Sequence, residues 1–168
     1  MLQALVGACG LALGVLAYQV QVDNLPEDFT TTARAIASVV TAWAFLLAGL
    51  VAWARRPGSR LGPLMLAAGF ALLARQLRYS HDELVFTLFY LLGELAYVLV
   101  GHVALAYPTG RVTDRLERAF LAVAYPVAVA FPLAILLFYD GSERLEYFDA
   151  SARETAPYSP TVASPTTA

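Results

Sequence analysis

Apolar positions along this chain run in unbroken blocks, and polar residues collect in the short gaps between them. Five blocks stand out: Leu2–Val22, Ala35–Ala54, Leu61–Leu77, Leu84–Tyr107 and Ala119–Tyr139. An α-helix needs about 20 residues to cross a hydrocarbon core of ~30 Å. The first, second, fourth and fifth blocks meet that length. The third is short and carries Arg75 near its end, so it reaches across only if Arg75 and Arg78 snorkel or the bilayer thins. Strands of a membrane barrel would alternate over ~10 residues, whereas these blocks are continuously apolar and rich in Leu and Ala, which favours helix. The pattern predicts an all-α, polytopic transmembrane helical bundle of about five spans over residues 1–139. After Tyr139 the character changes: an acidic stretch leads into TAPYSPTVASPTTA, a Ser/Thr/Pro-rich composition that cannot offset the entropy of ordering. Residues 140–168 are therefore expected to form a disordered polar tail.

Composition strengthens this class. Of 168 residues, 59% are hydrophobic and only 14% charged, against about a quarter charged in soluble domains. A soluble enzyme of this composition would expose too much apolar surface. The net charge of −2 and the lack of a long basic cluster argue against nucleic-acid binding. Cys9 is the only cysteine, so the chain has no internal disulfide and no thiolate metal site. The box Leu5-Val6-Gly7-Ala8-Cys9 faintly resembles a lipoprotein cleavage site, but no basic segment precedes it and the apolar run before Cys9 is too short.

Every basic residue is an arginine, and their placement sets an orientation. Arg55, Arg56 and Arg60 lie in the loop after the second block, and Arg111, Arg115 and Arg118 follow the fourth. The opposite side holds Asp23, Glu27 and Asp28 in one loop, and Arg78, His81, Asp82 and Glu83 in another. The bias of arginine toward cytoplasmic loops puts the N-terminus and both arginine loops inside, and the tail outside. Topology and contact with anionic lipid head groups, about 1 kcal/mol for each basic residue, account for these six arginines.

Glu94 carries the most information. It sits mid-way along an apolar block, where a charge costs about 2.5–3.5 kcal/mol. Helical spacing brings Thr87, Tyr90, Tyr97 and Gly101 roughly to its face. That face should point into the bundle, where tyrosine hydroxyls or an arginine satisfy the carboxylate. Glu94 then acts as a protonation or ligand sensor, as a proton-relay group, or as a clamp between helices. Glu94, Tyr90, Tyr97 and His102 form the expected intramembrane polar centre. His102 lies toward the cytoplasmic interface, about 12 Å from Glu94 along the axis, too far for the two to share a metal. Arg75, Arg78, His81 and Asp82 are expected to cluster at the outer mouth. Trp43 should pack mid-span and Trp53 anchor the interface, while Pro126 and Pro132 should each kink the fifth span.

The stretches WARRPGSRLGPLMLAAGFALL (Trp53–Leu73) and GHVALAYPTGRVTDRLERA (Gly101–Ala119) resemble the N-terminal membrane region of actinobacterial sensor histidine kinases. The shared pattern is an Arg-Arg-Pro loop, a Gly-Pro helix start, and a long span closing on Tyr-Pro-Thr-Gly-Arg. The likeness covers about Trp43–Tyr139 and, more loosely, the first span. It implies an input domain in a bacterial plasma membrane, working as a homodimer or with a kinase and response regulator. The kinase core itself is absent: no Gly-rich ATP lid occurs, and His81 and His102 lie at or in the membrane. The resemblance thus implies a truncated kinase or a stand-alone sensor relative, with no catalysis and no cofactor. The alternative reading is a small transporter or channel accessory subunit with Glu94 on an ion or proton path. A membrane enzyme using Glu94 and His102 ranks lowest, for want of a nucleophile or metal set.

Overall fold

A computed structural model of the chain describes residues 2–24 and 29–138. The expected tail 140–168, together with Tyr139, Glu27 and Asp28, lies outside the described residues. The chain divides into two units, Met1–Ala134 and Ile135–Ala168; of the second, only 135–138 are described. Helices account for the secondary structure of the described residues, and no strand occurs among them. They are α1 (Leu2–Asn24), α2 (Phe29–Arg55), α3 (Leu61–Ala74), α4 (Glu83–Gly93), α5 (Leu95–Ala106) and α6 (Arg115–Phe138).

Small residues bring the first helices together. The buried positions of α1 are Gly10, Gly14, Ala17 and Gln21, a repeat that keeps them on one face. Facing them on α2 are Ala35, Val39, Ala42 and Leu46, all buried. The Trp43 indole fills the notch over Gly14, and its Nε1–H donates to the Gly10 carbonyl at 3.2 Å. Gln21 donates to the Ala17 carbonyl at 3.2 Å and to Ser38 Oγ at 3.4 Å, so its amide is satisfied inside the pair. Lipid offers no hydrophobic drive to join helices, so close packing of small residues and hydrogen bonds of this kind must hold them.

Helix α3 is the central element and packs against α1, α2, α4 and α5. Its approach to α2 is closer than any side chain would permit. A Cβ on Gly62 would lie 2.7 Å from the Trp53 backbone nitrogen, and one on Gly49 would lie 2.9 Å from that of Leu66. The core is built around Ala17, Val39, Ala42, Leu46, Leu66 and Leu73. Trp53, expected as an interfacial anchor, also packs against this core at half burial.

The expected third span, Leu61–Leu77, is not one continuous α-helix. Its α-helix stops at Ala74 and passes into a 3-10 turn, Arg75–Tyr79. The two pieces reach roughly 21 Å and about 10 Å. Four helical stretches are long and apolar enough to cross a membrane: Leu2–Asn24, Thr32–Arg55, Glu83–Ala106 and Arg115–Phe138. The third segment, whose two pieces together match the thickness of a hydrocarbon core, is largely enclosed by its neighbours and holds Gln76 at 6% exposure, bonded to the Leu72 carbonyl at 3.4 Å.

The fourth span is present over Glu83–Ala106, and Glu94, where α4 gives way to α5, keeps helical torsions of φ −71° and ψ −22°. At this junction the Tyr97 and Val98 amides both donate to the Glu94 carbonyl, at 3.2 and 3.5 Å. The fifth span, α6, is assigned as helix straight through Pro126 and Pro132. Each proline withholds one donor, which leaves the carbonyls of Ala122 and Ala128 without their usual partner.

The two arginine loops meet at one end of the bundle. Gly110 adopts φ +73°, a left-handed conformation that favours glycine, and its amide closes the end of α5 on the Ala106 carbonyl at 2.7 Å. A Cβ there would stand 2.6 Å from the Leu61 nitrogen, so the second loop rests directly on the first. Away from the core, Leu5, Leu11, Ile36, Val40, Leu47, Phe120, Val123 and Phe131 are bare to the surroundings. Small buried residues inside and large apolar ones outside is the arrangement expected in lipid. The fold is a polytopic helical membrane bundle.

Candidate functional site

The 3-10 turn at the end of α3 delivers Arg75 inward. Its guanidinium reaches across to the middle of the fourth span, with Nη2 3.7 Å from Glu94 Oε1. The same group lies over the Tyr97 ring, 4.5 Å from the centroid, a cation–π contact. Gly93 makes the approach possible, since a Cβ there would sit 3.1 Å from Arg75 Cγ. Arg75 therefore does not snorkel. Its side chain is 15% exposed against 38% for Glu94, so the pair runs from the packed interior to an open edge. At 3.7 Å the contact is an ion pair longer than a hydrogen bond. Arg75 Nε is buried and has no hydrogen-bond partner among the described residues.

Beside this pair a cleft of about 430 Å³ opens between α5 and α6. Glu94, Tyr97 and Val98 form one wall, and Phe120, Val123, Ala124, Val127, Ala128 and Phe131 the other. Apart from Glu94 and the tyrosine hydroxyl the lining is apolar. Nearer the arginine loops, His102 Nδ1 and the Tyr125 hydroxyl lie 2.9 Å apart, with their rings edge to face. This polar contact ties α5 to α6.

The expected polar centre is thus divided. Glu94 and Tyr97 come together around Arg75, whereas Tyr90 stacks on Phe86 with centroids 5.5 Å apart and makes no hydrogen bond to Glu94 among the described residues. His102 belongs to a separate contact with Tyr125. The expected outer-mouth cluster does not assemble either. Arg75 has turned to Glu94, and Arg78 holds the neighbouring Tyr79 through a 2.9 Å bond to its hydroxyl. Asp82 caps α4 by accepting from the Val85 amide at 2.9 Å, and His81 is exposed. Arg55, Arg56, Arg60, Arg111, Arg115 and Arg118 are all exposed at the loop end. No group of three or more His, Cys, Asp or Glu residues suited to a metal occurs among the described residues.

Two participants escaped sequence reasoning. Gly93 precedes the carboxylate and gives room to Arg75; its position beside a mid-span Glu was the available signal. Tyr125 is a polar residue inside an apolar block, directly before Pro126, and was readable as such. No protein-family model matches the chain, and no curated protein or solved structure is significantly similar to it.

Proposed function

We propose that this chain is the input part of a membrane signalling system, resembling the membrane region of sensor histidine kinases and working by helix repacking without catalysis of its own. The observation that carries the proposal is the Arg75–Glu94 pair at the junction of α4 and α5, facing a cleft along α6. A charge pair half open to an apolar environment is sensitive to what occupies that environment. Helix α6, tied to α5 by His102–Tyr125, is the element free to repack in response. In this reading the chain sits in a bacterial plasma membrane with its N-terminus and arginine loops inside, against anionic lipid. Its output goes to a second copy or to a kinase and response regulator.

The test is a distance measurement. With Cys9 replaced by Ser, spin labels at Leu88 and Leu133 report the separation of α4 and α6 in liposomes. Glu94→Gln should change the distribution while leaving insertion intact. One distribution common to both proteins would remove the proposal.

The placement of an acidic residue within a span also favours a second reading, an ion or proton path in a transporter or channel accessory subunit, since ionisable residues inside membrane segments mark such paths. Proton flux into liposomes that is lost in Glu94→Gln would establish it, and absence of flux would discard it.

A further inference from the structure

We propose that the cleft between α5 and α6 is a binding site for a neutral lipid alcohol, an apolar molecule drawn from the bilayer whose hydroxyl donates to Glu94. Size, charge and hydrogen bonding each point there. The cleft, at about 430 Å³, falls in the range of small-molecule sites, about 300–1,000 Å³. Its walls are apolar except at Glu94 and the Tyr97 hydroxyl, so the body of the occupant must be apolar.

Charge selects the head. Glu94 lines the cleft with Arg75 directly behind it, so together they present no net charge. A cationic head drawn to Glu94 would meet the guanidinium, and an anionic head would meet the carboxylate. A neutral head suffers neither penalty. Hydrogen bonding then separates an alcohol from a plain hydrocarbon. The 3.7 Å contact leaves lone pairs of Glu94 without a donor, a costly state where water is excluded. A hydroxyl supplies that donor. A second groove, about 360 Å³ and lined by Val40, Thr41, Ala44, Phe45 and Met65, lacks this feature. Its hydroxyl, Thr41 Oγ1, already donates to the Ala37 carbonyl at 2.7 Å. The two grooves thus form an internal comparison.

The inference deepens the sensor reading by naming the class of stimulus, but binding is measured without any signalling readout. Failure here leaves the α4–α6 distance test standing, and failure there leaves this one. The full chain in phosphatidylcholine liposomes is exposed to photoreactive probes of one chain length, bearing a hydroxyl, an amine, a carboxylate or no head group. Labelled residues are located by peptide mass spectrometry. The alcohol should label the segments around Val98 and Val127 about tenfold more than the headless probe, the factor one hydrogen bond to a charged group supplies. Labelling at Val40–Phe45 should be equal for all probes. Ala124→Trp, which fills the cleft, should abolish the difference at Val98 and Val127 only. Equal labelling by alcohol and headless probe, or stronger labelling by amine or carboxylate, overturns the proposal on the unaltered protein.

Discussion

Removing Glu94 should destabilise the bundle more than removing Arg75, although the two form one pair. At 3.7 Å and an effective dielectric of ~20, their mutual attraction is about 4 kcal/mol before desolvation is counted. Breaking a buried pair from one side costs about 3–5 kcal/mol, chiefly because a charge is left alone. The partial exposure of Glu94 puts Glu94→Ala near the lower end, about 3 kcal/mol, or roughly a hundredfold in the folding equilibrium. The asymmetry comes from chemistry. A stranded carboxylate can neutralise itself by taking a proton, but a guanidinium stays charged. Arg75, at 15% exposure and with Nε already unpartnered, has nowhere to turn. Arg75→Met should therefore cost only about 1–2 kcal/mol, and the double variant less than the sum of the singles, with coupling in the range of about 0.5–3 kcal/mol. Equilibrium unfolding in mixed micelles reads this directly, because Trp43 and Trp53 both pack against the core and report its loss by fluorescence. A Glu94→Ala protein within ~0.5 kcal/mol of wild type, the scatter of unremarkable surface changes, would refute the reasoning. So would an Arg75→Met protein less stable than Glu94→Ala.

Two further outcomes follow from the same packing. Gly62→Ala places a methyl against the Trp53 backbone, which cannot move aside as a side chain would, and should cost about 1–3 kcal/mol in the same unfolding assay; Gly58→Ala, with open space around it, should cost far less. Tyr125→Phe removes the bond to His102 and should destabilise by about 1 kcal/mol, with faster amide exchange confined to α6 and the adjoining face of α5.

How much of this was legible in the sequence can be judged element by element. The blocks that became α1, α2, the α4–α5 segment and α6 were plain, because a helical span needs about 20 predominantly apolar residues in a row. For Leu61–Leu77 the run was plain but its surroundings were not: a continuous apolar run cannot by itself tell a helix facing lipid from one enclosed by other helices. The stripe Gly10, Gly14, Ala17 and Gln21 was readable as a small-residue face and marks where α2 packs. The arginine loops were also legible as one set, since antiparallel helices return alternate connections to the same end, and Gly110 seated on Leu61 shows them in contact.

The site was legible only in part. Glu94 stood out because an ionisable residue in an apolar block demands a partner. The partner itself did not, because Arg75 was grouped by sequence proximity with Arg78, His81 and Asp82. A 3-10 turn changes the angular step between successive side chains, and in this turn Arg75 is sent inward while Arg78 turns to its neighbour and Asp82 is taken up as a cap. His102 and Tyr125 meet for a similar reason: the turn that ends at Gly110 and the loop behind it set the register between α5 and α6.

The sequence alone therefore determined that the chain is a helical membrane bundle, which blocks are long and apolar enough to span, and which residue is out of place among them. These are properties of each segment against its solvent. The tertiary structure decided that the third segment is enclosed, and that Arg75 answers Glu94 beside a cleft. Those depend on the rotation of one helix against another, which is set by side-chain packing between segments far apart in the chain.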